Sequence, residues 1–318
     1  MTSRFRVVRT GDPEELAPLD PDETWIRVED ELPEVAWRAL ADLVADRPEV
    51  ELSIEAGDDL EALRWFPGLR RLGARSVWLR SLDGLRHVHG SLERLTLGDT
   101  RRLVSLRPIE GTAASLRRLA MNGTWSDTDA ISTLVGLERL GMGTIDLEVL
   151  LPLTGLTRFE CGLGTVRQLD LLPEVGRLEL VELWRLRGAH DLTPLAGIRT
   201  LRYLLLASTR SITHLPSFAA CPDLGWVSLA EMRGITDLRP VAEAPALEVL
   251  MLVGMPQLDA TALRPLVGHP ALRAGVWGLG SARRNAQATR LLPLPPANGE
   301  PAPWECPDWD GIPSPWAT

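Results

Sequence analysis

The stretch SLERLTL, residues 91–97, has leucines at positions 92, 95 and 97 and an arginine between the first two. The same apolar-x-x-apolar-x-apolar motif recurs along the chain. Its first leucine returns after 23 residues each time at Leu178, Leu201, Leu224 and Leu247. Upstream motifs are spaced by 23, 24, 21, 19 and 22 residues, and begin at Leu69, Leu92, Leu116, Leu137 and Leu156. We therefore expect the length changes to lie between the motifs, where the frame of the leucines is not affected.

A repeat of this length is too short to bury its own leucines. Successive repeats must therefore stack, so that the motifs pair as parallel strands and the leucines share one core. Each strand then returns through a turn. Pro194 and Pro240 lie in these connections, and because proline lacks a backbone N–H, they predict short turns or 3-10 segments rather than long helices.

The motif resembles that of the leucine-rich repeat family over roughly residues 47–280. The connections DLTPLAGI (191–198), DLRPVAEA (237–244) and SLRPIEGT (105–112) are similar to those of the short-repeat bacterial class typified by internalins. The resemblance implies an α/β solenoid with a right-handed curve, a parallel β-sheet on the concave face and short 3-10 or turn segments on the convex face.

The chain departs from the family at the position after each strand, which the family usually fills with asparagine. The corresponding residues here are Asp99, Gly123, Arg185, Ser208, Glu231 and Gly254. A continuous asparagine ladder is therefore absent. The secretion and wall-anchoring signals of internalin-like surface proteins are not visible either.

We predict three parts: an N-terminal α/β cap (1–46), a solenoid of about ten repeats (47–290) and a Pro/Trp-rich tail (291–318). In the cap, RFRVVR and WIRVE are strand-like, and a helix over 33–47 places five apolar residues near one face. These are Val35, Trp37, Leu40, Leu43 and Val44. Solenoids need such caps to protect the first repeat.

The tail has eight prolines and three tryptophans in residues 292–318. Proline disfavours regular structure there, whereas tryptophan is costly to leave in water. Two interpretations stay open: an irregular arm packed on the last repeats, or an extended tail that binds a partner.

The sequence contains no lysine, so all 34 cations are arginines, which indicates GC-rich coding and a bacterial origin. With 43 acids the net charge is −9, which argues against a surface that grips nucleic acid or anionic membranes as a whole. The first residues lack an apolar signal region, and no apolar run is long enough to span a membrane. We expect a cytoplasmic protein.

Side chains alternate between the two faces of a strand, so the residues between the leucines must point to the concave side. This places a column of five arginines on the N-terminal half of that face: Arg71, Arg94, Arg118, Arg139 and Arg158. The C-terminal half is apolar and aromatic, with Trp184, Tyr203, Leu205, Trp226 and Met251.

Adjacent arginines repel each other by about 1 kcal/mol even in water. A guanidinium binds carboxylate or phosphate with two hydrogen bonds, so an anionic partner would offset the repulsion. The alternative is that the arginines only solvate a duplicated strand surface. Grouped exposed aromatic residues are typical of binding hot spots. The alternative there is that the tail or a second copy of the chain covers them.

Glu160 and Glu182 also lie on this face, where Arg158 favours an ion-pair role over acid/base chemistry. No histidine or cysteine pattern indicates a metal site, a disulfide framework or a nucleophile, and GVWGLGSARR (275–284) lacks the ending of a phosphate-binding loop. We expect no cofactor and no metal.

We therefore predict a non-catalytic scaffold that binds another protein or peptide, with an acidic or phosphorylated segment, through the concave face. The predicted contact residues are the five arginines, the two glutamates and the five apolar and aromatic residues named above. Two alternatives are a non-catalytic subunit that delivers substrate in an enzyme complex and, disfavoured by the acidic charge, a nucleic-acid-binding protein. The oligomeric state stays open.

Overall fold

A computed structural model describes residues 4–188 and 191–297. The chain divides into two compact units, the first ending at Gly141 and the second beginning at Met142. We call them unit 1 and unit 2. The predicted tail lies outside the described residues from position 298 onward, and so does His190.

Unit 1 contains a parallel sheet whose strands follow the chain order. Each strand pairs with the one before it, and the register within the repeats keeps leucine beside leucine. Its described strands are Arg4–Val8, Glu23–Val28, Glu51–Ile54, Arg71–Ala74, Arg94–Leu97, Arg118–Met121 and Arg139–Met142, the last of which ends one residue beyond the unit boundary.

Unit 2 repeats the same arrangement with slightly longer strands, again parallel and in chain order. Its described strands are Arg158–Gly162, Leu180–Trp184, Tyr203–Ala207, Trp226–Ala230, Val249–Val253 and Ala274–Trp277. The motif leucines are buried in both units, as in Leu95 and Leu204, which are 0% exposed. Parallel strands that alternate with short turns form the predicted leucine-rich repeat solenoid architecture.

Short 3-10 segments connect most of the strands, as the proline positions predict. Thr193–Gly197 carries Pro194 at its second position, and Pro240 takes the second position of a single α-helical turn, Arg239–Ala242. The other 3-10 segments are Glu61–Trp65, Asp83–Val88, Arg107–Thr112, Thr128–Thr133, Leu147–Leu150, Leu169–Glu174 and Ala260–Leu266. Each unit also contains two strands of two residues that pair with each other. These are Val104–Ser105 with Trp125–Ser126 in unit 1, and Ile145–Asp146 with Val166–Arg167 in unit 2.

The cap contains the predicted strands and a helix, Glu34–Val44. The helix buries Ala36, Leu40 and Val44. Val35 was predicted to lie on the apolar face but is 74% exposed, because the buried stripe runs through Ala36 instead. At the other end, the helix Ala282–Leu291 begins at Ser281, whose hydroxyl accepts a hydrogen bond from the Arg284 amide at 3.3 Å.

The turn after each of four strands in unit 2 is left-handed at a residue other than glycine. Leu163, Arg185, Ser208 and Glu231 have φ between 49° and 58°, and Gly254 takes the same position after the next strand with φ 60°. The amide of each non-glycine residue donates to the last carbonyl of the following strand, as from Arg185 to Ala207 at 2.9 Å. Adjacent repeats are therefore joined by one further backbone hydrogen bond beyond the strands.

Candidate functional site

Four arginines lie in register on neighbouring strands of unit 1. Arg71 is the Cα partner of Arg94, and Arg94 is the partner of Arg118. Arg118 pairs in turn with Arg139. The leucine after each arginine is buried in the core, so the arginines lie on the opposite face of the sheet. We call these four residues the arginine face. They form the predicted single file, whereas Arg158 belongs to unit 2.

A buried carboxylate lies at the start of this file. Glu51 is the Cα partner of Arg71 and is 6% exposed. Its Oε2 lies 3.9 Å from Nη1 of Arg94, which is 4% exposed, and its Oε1 lies 3.5 Å from Nη2 of Arg75. A buried charge is tolerated when it is paired. Glu51 therefore offsets part of the repulsion between the arginines.

Gly73 leaves the space in which these side chains meet. A Cβ atom there would lie 3.0 Å from Ser53 Oγ, 3.1 Å from Arg75 Nε and 3.3 Å from Glu51 Oε1. These separations are tighter than the usual optimum for non-bonded contact. Gly73 is therefore part of the site, because a larger residue at this position would push Arg75 and Glu51 apart.

A second charged group lies on a cap strand, and our sequence prediction missed it. Arg27 donates from Nε and Nη2 to the Glu55 carboxylate at 3.0 and 2.8 Å, and its guanidinium lies 5.9 Å from the Trp25 ring centroid. Burial is the largest single influence on the pKa of Glu55 and raises it, but the hydrogen bonds from Arg27 and Ser53 and the charges of Arg27 and Arg75 together outweigh it, so the pKa lies below its ordinary value. The alternation rule, extended to the strand Glu23–Val28, would have found this group, since Trp25 pairs with Glu51.

The corresponding positions in unit 2 carry mostly apolar side chains. The row that begins at Arg158 continues through Leu180, Tyr203, Trp226 and Val249 in strand register. The next outward row contains Glu160, Glu182, Leu205, Ser228 and Met251. We call the set Trp184, Tyr203, Leu205, Trp226 and Met251 the aromatic face. The structure brings these predicted residues together on one side of one sheet.

The expectation that this face is an exposed patch is wrong for most of its members. Trp184 is 8% exposed, Leu205 1% and Trp226 6%, whereas Tyr203 and Met251 are partly buried. The Trp184 ring occupies the space beside Gly162, where a Cβ atom would lie 2.0 Å from the ring. Alternation predicts which face a side chain occupies but not what covers that face. Whether these residues bind a partner stays a prediction.

Part of the cover is the end of the described chain. After the helix Ala282–Leu291, the Pro295 carbonyl accepts a hydrogen bond from the Gly275 amide at 3.0 Å. Ala297 then packs in a cluster with Trp226 and Val249. The chain therefore crosses onto the aromatic face before position 298.

Glu182 is buried on this face without an ion pair among the described residues. It is 2% exposed, and its Oε2 has no hydrogen-bond partner there. Burial, and then the repulsion from Glu160, raise the pKa of Glu182 to about 8. The ion-pair role that we predicted for Glu182 is therefore wrong. The prediction failed because the sequence did not indicate that this position is buried.

The residue types that carry catalysis are dispersed in the described part of the chain. No group of three or more histidine, cysteine, aspartate or glutamate side chains there could hold a metal ion. Cys161 and Cys221 are buried, and burial raises the pKa of the Cys161 thiol to about 12, which disfavours the nucleophilic thiolate. Within residues 4–188 and 191–297, no helix is both long and apolar enough to cross a membrane.

Comparisons with solved structures find leucine-rich repeat proteins at low identity. An internalin C2 from Listeria monocytogenes is 19% identical over 60% of this chain and 83% of its own, with a TM-score of 0.47. A second internalin from the same organism is 18% identical over 86% and 73%, with a TM-score of 0.47. A leucine-rich repeat protein from Leptospira interrogans is 15% identical over 87% and 92%, with a TM-score of 0.46. No family model and no curated protein matches the sequence.

Proposed function

We propose that this protein is a non-catalytic scaffold that binds a protein partner, and that the arginine face of unit 1 binds an acidic or phosphorylated segment of it. The observation that carries this proposal is the in-register file of four arginines on adjacent parallel strands. Neighbouring strands lie about 4.8 Å apart, which sets the spacing of the charges along the file.

The chemistry of the side chain supports an anionic ligand. Guanidinium stays charged at every pH at which proteins fold, and its planar N–H groups match the two oxygens of a carboxylate or phosphate. Glu51 lies at one end of the file, beside Arg94 and Arg75. At the other end, Arg118 and Arg139 are only partly buried. We place the contact with the partner at these two residues.

The aromatic face of unit 2 is the second proposed contact surface. Tyr203 and Met251 reach the solvent in part, and buried aromatic anchors surrounded by other apolar groups are typical of binding hot spots. Arg158, Glu160 and Glu182 lie beside it in the strand register and supply its polar contacts.

The test uses the full chain and synthetic peptides of equal length that are acidic, phosphorylated or neutral, with binding measured by fluorescence anisotropy at several salt concentrations. We expect the acidic or phosphorylated peptides to bind. The variant Arg118→Gln/Arg139→Gln should weaken this binding about tenfold or more, since hydrogen bonds to charged groups contribute roughly 1.5–3 kcal/mol. Arg94 is kept, because its burial beside Glu51 would turn a substitution into a folding defect.

The control is Arg86→Gln/Arg107→Gln, which removes the same charge from exposed positions on 3-10 segments. It should leave the peptide affinity unchanged. Equal losses for the two variants would reduce the effect to net charge and contradict the proposal. Binding of a single-stranded RNA instead of the peptides would favour the nucleic-acid alternative.

A further inference from the structure

The aromatic face is buried although it lies opposite the leucine core. Leu180 and Leu205 are each 1% exposed, whereas the structurally equivalent Arg118 and Ala120 in unit 1 are partly exposed. Trp184 packs with Ala207, Ala230 and Val253, which are strand residues of the same face. Strand neighbours cover a side chain mainly from the side, so the low exposure of this face points to a further segment that lies over it.

The end of the described chain identifies the segment. Ala297 is 6% exposed and packs against Trp226 and Val249, so the described chain ends on this face. Another 21 residues follow in the sequence. From the strand of Trp226, three strand spacings of about 4.8 Å, or roughly 15 Å, lead to the strand of Arg158. An extended segment of this length reaches up to roughly 70 Å, so the whole face is within its reach.

The chemistry of residues 298–318 complements the face. The segment contains three tryptophans and four acids and no basic residue, namely Trp304, Trp309 and Trp316 with Glu300, Glu305, Asp308 and Asp310. The face offers an apolar surface and two buried polar atoms that lack a hydrogen-bond partner among the described residues, Nη1 of Arg158 and Oε2 of Glu182. A carboxylate of the segment fits the first, and an indole N–H fits the second.

We propose that residues 298–318 bind across the aromatic face of the same chain, with their tryptophans packed on it and an acidic side chain paired with Arg158. The segment then has the acidic and aromatic character expected of the partner. One consequence rests on the proposed function. If a partner binds the aromatic face, it must first displace the segment, and the chain then regulates its own binding.

The test exploits the natural thiol Cys306 within the segment. Cys161 and Cys221 are both 0% exposed, so they react slowly. In the full chain, Met251→Cys adds a thiol on the aromatic face, and Glu243→Cys adds a control thiol at an exposed position in the connection that precedes the strand of Met251. Each variant is treated with a short bismaleimide, and the cross-linked monomer is quantified by peptide mass spectrometry.

We expect a cross-link between Cys306 and position 251 within single chains, at a yield about tenfold or more above that of the control, which corresponds to a preference of about 1.4 kcal/mol. Replacing Trp304, Trp309 and Trp316 by Ala should abolish the difference. If Met251→Cys does not fold, Tyr203→Cys on the next strand but one gives the same measurement.

Equal yields at positions 251 and 243 would overturn the proposal. Cross-links found only between two chains would overturn it as well, and would assign the face to a second copy. The assay needs no partner, so its outcome is independent of the peptide-binding test on the arginine face.

Discussion

The two units differ in what surrounds their buried glutamates. In unit 1, Glu51 lies within 4 Å of both Arg94 and Arg75, so its charge is compensated. In unit 2, the neighbours of Glu182 in register are another carboxylate, Glu160, and the apolar Leu205. A buried carboxyl without a cation favours its neutral form. The carboxyl of Glu182 therefore favours its neutral form, and its pKa is raised to about 8.

We expect Glu182 to make the stability of the protein fall as the pH rises. Its pKa is about 8 in the folded protein and near 4.5 ordinarily. Below pH 4.5 both states hold the proton. Between these values only the folded state holds it, so stability is lost progressively up to about pH 8. Each unit of pKa difference corresponds to about 1.4 kcal/mol, giving a total of a few kcal/mol.

Glu182→Gln should remove this loss, because the amide keeps the shape of the neutral acid. Urea unfolding at a series of pH values between 5 and 9 measures it, and the variant should become more stable than the natural chain at the alkaline end. The control is Glu179→Gln, at a partly exposed position one residue before the same strand. Parallel stability curves for Glu182→Gln and the natural chain would contradict the prediction.

The same residue marks a limit of prediction from sequence. The alternation of the strands placed Arg94 and Glu182 on the correct face, because the leucine positions fix which side chains face the core. Their burial depends on neighbours that alternation does not contain. For Arg94 the missing neighbour was Glu51 on the strand Glu51–Ile54, and for the aromatic face it was the returning chain near Ala297.

At the scale of the element, the left-handed turns of unit 2 carry strain. Arg185 has φ 49°, a conformation that costs a residue with a Cβ roughly 1–2 kcal/mol. The family position that favours asparagine is filled here by Arg185, Ser208 and Glu231, none of which is glycine. The amide hydrogen bond to the next strand keeps the conformation in place.

Arg185→Gly should therefore stabilise the protein by about 0.5 kcal/mol. This is the strain energy that glycine relieves, minus the conformational entropy that glycine adds to the unfolded chain. The melting temperature measures it. Arg199→Gly is the matched control, since Arg199 is exposed and lies outside the left-handed region. It should destabilise by a similar amount, and a gain in both variants would show that loss of charge is responsible.

The strands and the connecting segments follow closely from the sequence. The leucine frame fixed the strand register, and the prolines indicated 3-10 segments. The helix Ala282–Leu291 was not predicted, because it lacks an apolar stripe and buries only Ala288. The left-handed turns were not predicted either, since Arg185 and Glu231 are residue types that rarely adopt them.

At the scale of the whole molecule, contacts join mainly repeats that are neighbours in the chain. The free energy of unfolding of such a protein is approximately the sum of the stabilities of the single repeats and of the interfaces between neighbours. A destabilising substitution therefore affects mainly the adjacent repeats. Phe218, which is 0% exposed, lies in the connection between the strands Tyr203–Ala207 and Trp226–Ala230.

Phe218→Ala should cost about 3–5 kcal/mol, as expected for a deleted core aromatic residue. Native-state hydrogen exchange should rise most in the two strands beside it and less in Arg158–Gly162. Val135→Ala, at a side chain that is 60% exposed, is the control and should change neither quantity. A uniform rise across unit 2 would mean that the unit unfolds as one cooperative block.

The regular 23-residue period of unit 2 also bears on how such a chain grows. Leu178, Leu201, Leu224 and Leu247 each open a copy with the same strand frame, and the strands of successive copies pair with one another. A tandem duplication of residues 201–223 at the level of the gene would add one strand, one connection and one matching pair of interfaces. The protein would thereby widen the sheet face opposite the leucine core without redesigning either end.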